Sequence, residues 1–266
     1  MNQRTYFVIS FSFLGLGLIA FLIDVFKGKP DGDGLVILII GFAITAFWLI
    51  RFYIALRRIK EVGNLLSQQC DPDAYIEKTQ RLLDKATKGG HTANTLMFRL
   101  NLSAGLSAEG RFEEALAATP DTVLFKNDRN GRLGRFTVNH NTYVAFLSLG
   151  NMEQAALALE RLHDSLNALK DNKLYKMVQH LSQLDSIRFE MVNGHFENAE
   201  NAYRNTFDKA KSNIERVSAM LRLGETYQHY GRNEEAREAF EYVIAHGNKL
   251  YAVTLAKQLL ASMGNV

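Results

Sequence analysis

The stretch GRNEEAREAF, residues 231–240, has the pattern of a tight turn followed by the start of a helix. Its skeleton is a glycine, a glutamate three residues later and an alanine five residues later. The same skeleton occurs in GRFEEALA from Gly110, in GNMEQAAL from Gly150 and in GHFENAEN from Gly194. The glycines are separated by 40, 44 and 37 residues. A recurrence of this length, with helical periodicity on both sides, predicts stacked helical hairpins.

Each position of the skeleton has a physical role in such a hairpin. Glycine adopts the left-handed conformation without a steric penalty, so it can end the first helix. The glutamate is expected in the first turn of the second helix, near the positive end of its dipole. The alanine is small where the two helices approach, and a large residue four positions later returns to the same face and fills the core. These positions are Gly110, Gly150, Gly194 and Gly231; Glu113, Glu153, Glu197 and Glu234; Ala115, Ala155, Ala199 and Ala236; and Leu159, Tyr203 and Phe240.

The last copy carries a resemblance to a known family. In MLRLGETYQHYGRNEEAREAFEYV, the residues at signature spacings are Leu223, Gly224, Tyr227, Gly231, Ala236 and Phe240. This segment resembles the tetratricopeptide repeat (TPR) family, and the resemblance extends over about residues 92–246. KLYAVTLAKQLLASM then looks like a terminal capping helix, while the early tryptophan and the late proline of the family are missing. The resemblance implies an all-α fold, with an α-solenoid of TPR-like helix pairs over residues 61–266.

In the TPR family, ligands usually lie in a concave groove made by the first helix of each pair. The resemblance places eight residues of this chain in that groove: His140, Val144, Leu184, Arg188, Met191, Leu221, Glu225 and Gln228. One TPR subfamily clamps a C-terminal carboxylate with Lys, Asn and Arg at fixed places. Leu100, Ala104, His140 and Val144 occupy the comparable places here, so that clamp is not expected. A groove of mixed polarity suits an extended or helical protein segment, or a cover supplied by this chain or by a second copy.

Two further segments flank or interrupt the repeats. CDPDAYIEKTQRLLDKATKGG, residues 70–90, predicts a helix that pairs with the helix beginning near Thr92. PDTVLFKNDRNGRLGRF, residues 120–136, is rich in Gly, Asn and Asp and is expected to be a loop. Four basic residues in this loop suit either a solvated connector or a contact for acidic headgroups or an acidic partner: Lys126, Arg129, Arg132 and Arg135.

The first sixty residues predict a membrane anchor. Residues 6–26 and 35–56 are apolar stretches long enough to cross a bilayer, joined by a turn-forming KGKPDGDG. Arg4 precedes the first span, and Arg57, Arg58 and Lys60 follow the second. Positive residues collect on the cytoplasmic side, so a hairpin in the cell membrane with both termini and the repeats in the cytoplasm is expected. A cleaved signal peptide is the other interpretation of the first stretch, but its long apolar run and lack of a clear cleavage site argue against it.

Charge and composition limit the function. Residues 1–60 carry seven Lys/Arg and three Asp/Glu, whereas the remainder carries 24 and 25, which gives no basis for nucleic-acid binding. The seven histidines lie in no metal-binding spacing, and Cys70 is the single cysteine. No nucleotide-binding or nucleophile motif occurs either, so we expect neither an enzymatic activity nor a bound metal or cofactor.

The expected function is a membrane-anchored adaptor or scaffold that binds a protein partner, with homo-oligomerisation possible. The alternative is an oligomeric pore or a transporter accessory subunit whose active part is the hairpin, with Asp24 in its first span.

Overall fold

A computed structural model of the chain describes residues 33–170 and 173–264. All the regular secondary structure in these residues is helical. The α-helices are α1 (Asp33–Ser67), α2 (Pro72–Lys88), α3 (Thr92–Glu109), α4 (Phe112–Ala118), α5 (Arg129–Ser148), α6 (Met152–Asn167), α7 (Tyr175–Val192), α8 (Ala199–Lys209), α9 (Asn213–His229), α10 (Asn233–His246) and α11 (Tyr251–Met263), with a short 3₁₀ helix at Thr122–Leu124. The predicted span at residues 6–26, including Asp24, lies outside the described residues.

Helix α1 contains the predicted second span, residues 35–56. Among the described residues, one helical segment, Ile39–Ser67, is long and apolar enough to cross a membrane, with a mean hydropathy of 2.0 over its most apolar window. It meets this requirement by its length and its composition. Large apolar side chains such as Phe42, Ile50 and Tyr53 are exposed along it, whereas a core helix of a water-soluble domain would bury them.

The chain divides into two compact units between Glu61 and Val62. In the second unit, neighbouring helices pack in chain order: α2 with α3, α3 with α4, α5 with α6, and α9 with both α8 and α10. The contact of α2 with α3 is the pairing that the sequence predicts. Gly105 lies in it against the Tyr75 and Ile76 side chains, where a Cβ would have no room.

The four skeleton glycines end helices in the left-handed region, which is the conformation predicted for them. Their φ angles are 93° at Gly110, 73° at Gly150, 89° at Gly194 and 71° at Gly231. The four skeleton alanines have no exposed surface, because each lies where two helices meet: Ala115, Ala155, Ala199 and Ala236. The large residues four positions after the last three alanines, Leu159, Tyr203 and Phe240, are buried as well.

One skeleton glutamate differs from the prediction. Glu113, Glu153 and Glu234 lie in the first turns of α4, α6 and α10. Glu197 lies before α8, which begins only at Ala199. The reason is a separate turn, in which the Ala199 amide donates to the Phe196 carbonyl at 3.0 Å. This turn occupies the residues that form the first helical turn in the other copies.

The basic segment at residues 120–136 is also more ordered than the loop that was predicted. Helix α5 begins at Arg129, because the Asp128 carboxylate caps it by accepting the Gly131 amide at 2.7 Å. Arg135 donates to the Phe125 and Lys126 carbonyls at 3.0 and 3.2 Å, so its guanidinium holds the connector against the helix. The prediction of a loop is therefore wrong for residues 129–136, which are helical.

The last helix of the second unit packs back on the first ones. Helix α11, the predicted terminal helix, contacts α10 and also α3. The Tyr251 ring lies edge-on to the Phe112 ring, with centroids 5.2 Å apart. The Lys249 amide donates to the Cys70 carbonyl at 3.2 Å, and its ammonium group pairs with Asp71 and Asp73 at 3.2 and 3.1 Å.

Candidate functional site

A pocket of about 390 Å³ lies between helices α5, α7 and α9. These are the first helices of three successive pairs. Its polar lining comes from Arg188 on α7 and from Arg222, Glu225, Gln228 and His229 on α9; its apolar lining comes from Leu147, Met191, Val192 and Phe196. Charged and apolar side chains therefore line the same cavity.

Four of the eight groove residues predicted from the sequence line this pocket: Arg188, Met191, Glu225 and Gln228. The other four lie elsewhere. Val144 and Leu184 are partly buried and pack against the two buried clusters of the core, and Leu221 is fully enclosed in one of them. His140 pairs with Asp185. Helix α9 is covered on two sides, by α8 and α10.

The sequence reasoning missed five lining residues: Leu147, Val192, Phe196, Arg222 and His229. Arg222 is the most important of them because it brings a second positive charge. A signal for it was available, since Arg222 and Glu225 are three residues apart on a predicted helix and such pairs share a face. Phe196 lies in the irregular turn before α8, where helical periodicity gives no guidance.

Arg222 and Glu225 form a partly buried ion pair at the pocket wall. The Arg222 Nη1 lies 2.7 Å from each carboxylate oxygen of Glu225. The two side chains are 14 % and 22 % exposed. Burial opposes the charge of Arg222, but the Glu225 carboxylate outweighs burial and raises the pKa of Arg222. The charges of these two residues therefore balance each other.

Arg188 has no such partner. Among the described residues, no carboxylate forms an ion pair with its guanidinium, and its buried Nε has no hydrogen-bond acceptor. Burial and the nearby positive charge of Arg222 lower the pKa of Arg188. Arginine nevertheless stays protonated in proteins. The pocket lining thus holds two guanidinium groups and one carboxylate, and that carboxylate forms its ion pair with Arg222 rather than with Arg188.

A partly buried polar pair lies near Arg188 and fixes the helix that carries it. The His140 Nδ1 lies 2.7 Å from the Asp185 carboxylate, and the Tyr143 hydroxyl donates to the Asp185 carbonyl at 2.6 Å. Burial alone would lower the pKa of His140, but the Asp185 carboxylate raises it above its usual value. These bonds join α5 to α7 and hold the Arg188 turn in place.

A stacked pair of rings also lines the pocket. The Phe196 and His229 rings stack with centroids 4.0 Å apart and an angle of 11° between their planes. This contact fixes the turn before α8 against the end of α9. Within the described part of the chain, no group of three or more His, Cys, Asp or Glu side chains could hold a metal ion.

Comparison with known proteins gives no relative to guide the assignment. No protein-family model matches the sequence, and neither the curated proteins nor the solved structures include a significant match. The chemistry of the pocket is therefore the basis for a functional proposal.

Proposed function

We propose that this protein is a membrane-anchored adaptor that binds a segment of a partner protein in the pocket between α5, α7 and α9. In this proposal, the spans at residues 6–26 and 35–56 form a hairpin in the cell membrane. Residues 61–266 form a TPR-like α-solenoid on the cytoplasmic side. The anchor keeps the pocket at the membrane surface.

One observation carries the proposal. The pocket is lined by the first helices of successive pairs, which is the side that forms the ligand groove in TPR proteins. Apolar side chains and hydrogen-bonding groups converge in it, and peptide-binding grooves combine these two kinds of surface. The four glycine–alanine turns join the two helices within each pair, and so leave the first helices to line the pocket.

Membrane anchoring makes a modest affinity sufficient. A tethered domain and a partner in the same membrane meet at a raised effective concentration, so a pocket of this size can recruit the partner without a large interface. The exposed apolar side chains of α1, such as Phe42 and Ile50, suit a lipid environment. The alternative of a pore or transporter subunit depends on Asp24, which lies outside the described residues.

Site-specific crosslinking in native membranes tests the adaptor. A photoreactive residue in place of Gln228 lies in the pocket, and the same residue in place of the exposed Glu241 on α10 lies outside it. We expect a defined protein adduct, identified by mass spectrometry, from position 228 and none from position 241. Equal adducts from both positions, or no adduct from position 228, would contradict the proposal.

Cysteine labelling tests the topology. Cys70 is buried without exposed surface and gives a low background. In intact cells, an impermeant maleimide should label Asp31→Cys, in the predicted outer turn, and should leave Glu241→Cys unlabelled until the membrane is opened. The reverse pattern would invert the proposed orientation.

A further inference from the structure

Arg188 has no ion-pair partner among the described residues, which calls for an explanation. Its side chain is partly buried and its Nε is enclosed without an acceptor, and desolvating a charged group that lacks a partner is costly. The neighbouring Arg222 adds repulsion to that cost, and its own carboxylate partner, Glu225, is already engaged at two 2.7 Å contacts. A guanidinium held under these conditions is pre-organised for an anion from outside the chain.

We infer that the pocket binds the side-chain carboxylate of an aspartate or glutamate in a partner segment, and that Arg188 is its ion-pair partner. This inference rests on the proposed function and names the chemistry of the segment. It differs from the C-terminal carboxylate clamp of TPR proteins. Here the cationic residue lies on α7, and the places comparable to that clamp are held by Leu100, Ala104, His140 and Val144.

The charge balance of the pocket selects a carboxylate over other anions. Two arginines and one glutamate line it, so one positive charge remains when His229 is neutral. A carboxylate carries one negative charge and matches the planar guanidinium fork. A phosphate dianion would add a charge that the nearby Glu225 repels. Residues 61–266 carry 24 basic and 25 acidic side chains, so their net charge provides no electrostatic attraction for a nucleic acid.

The apolar half of the pocket adds a second requirement. Met191, Val192 and Phe196 lie beside the charged wall, and Val192 is 54 % exposed. A bound segment that covers Val192 gains hydrophobic free energy in addition to the ion pair. The recognised segment therefore has an acidic residue with an apolar residue close to it.

Peptide selection on the full-length chain in lipid nanodiscs tests the inference. Random linear peptides displayed through their C-termini offer only side-chain carboxylates. We expect the selected peptides to be enriched in Asp or Glu beside an apolar residue. If the selected peptides lack this enrichment, or if no peptide is selected, the carboxylate inference is wrong. The crosslinking at position 228 then decides independently whether the adaptor proposal stands.

Variants of Arg188 test the ion pair with the best selected peptide, made as a labelled amide. By fluorescence polarisation, Arg188→Gln should weaken binding by about tenfold or more, because a charge-assisted pair is lost. Arg188→Lys should weaken it less. The matched control is Arg237→Gln, because Arg237 is exposed on α10 and forms no ion pair with the described residues. It should leave Kd unchanged.

Changes in the peptide complete the test. Replacing its acidic residue with the corresponding amide should cost about as much as Arg188→Gln, and the two changes together should cost no more than either alone. Additive losses would show that the two groups do not meet. Tighter binding of a phosphoserine peptide would overturn the assignment to a carboxylate. The thermal midpoint of Arg188→Gln should not fall below that of the wild type, so weaker binding cannot be attributed to unfolding.

Discussion

His140 on α5 lies 2.7 Å from the Asp185 carboxylate on α7, across 45 residues of sequence. Because Asp185 is buried, this contact satisfies a group that would otherwise be costly in the core. It also makes the stability of the pocket depend on the protonation of one imidazole.

The first prediction concerns pH. The pKa of His140 is raised in the folded protein, so protonation favours folding. Its contribution is fully present below the unfolded value of about 6.5 and is lost as pH rises through the higher folded value. Urea titrations should show the wild type losing stability over that interval, whereas His140→Gln should lack this step. His195→Gln, at an exposed position, should retain it. A pH-independent difference between wild type and His140→Gln would contradict this.

The second prediction concerns the skeleton alanines. Ala199 has no exposed surface, so Ala199→Trp forces an indole between packed helices and should cost about 1–3 kcal/mol or more. Asn205→Trp puts the same side chain on an exposed position of the same helix, and its effect should be within about 0.5 kcal/mol. Chemical denaturation of both variants checks this. Similar losses would show that Ala199 does not lie at a helix–helix contact.

The third prediction contrasts two helical glycines. Alanine favours a helix over glycine by about 1 kcal/mol. At Gly63 a Cβ meets nothing within 4 Å, so Gly63→Ala should stabilise the chain. At Gly224 a Cβ would collide with the buried Phe240 ring, so Gly224→Ala should destabilise it despite the better propensity. Thermal midpoints that move in the same direction for both variants would rule out this close approach of α9 and α10.

The fourth prediction concerns the contact of α4 with α11. A double-mutant cycle with Phe112→Ala and Tyr251→Ala should give a coupling free energy of about 0.5–1.5 kcal/mol, as expected for edge-to-face rings. Phe112→Ala combined with Tyr230→Ala, an exposed tyrosine, serves as the uncoupled control. Coupling near zero in the first cycle would show that the two rings do not meet.

The sequence predicted the features that depend on local signals. Gly110, Gly150, Gly194 and Gly231 could be placed because a left-handed helix end requires a residue without a Cβ. The resemblance to TPR repeats then placed Arg188 and Glu225 in one groove, and both line the pocket. The start of α5 was missed although Asp128 offers a capping signal, because the nearby glycines suggested a loop.

Features that depend on contacts between distant segments could not be predicted in this way. Whether Arg188 has a partner depends on how α5, α7 and α9 meet, and no spacing in one helix encodes that. The bond between Lys249 and Cys70 joins residues 179 positions apart and leaves no periodic pattern. Phe196 reaches the pocket from a turn, where side-chain direction does not follow from sequence position.

A stack of helical hairpins, each in contact only with the adjacent hairpins, can unfold from either end. In the unit that begins at Val62, the two ends of the helical stack contact each other. Helix α11 packs against α3, and Lys249 forms ion pairs with Asp71 and Asp73. This unit should therefore unfold in a single cooperative transition on heating. A partner bound in the pocket would then raise the stability of the whole unit.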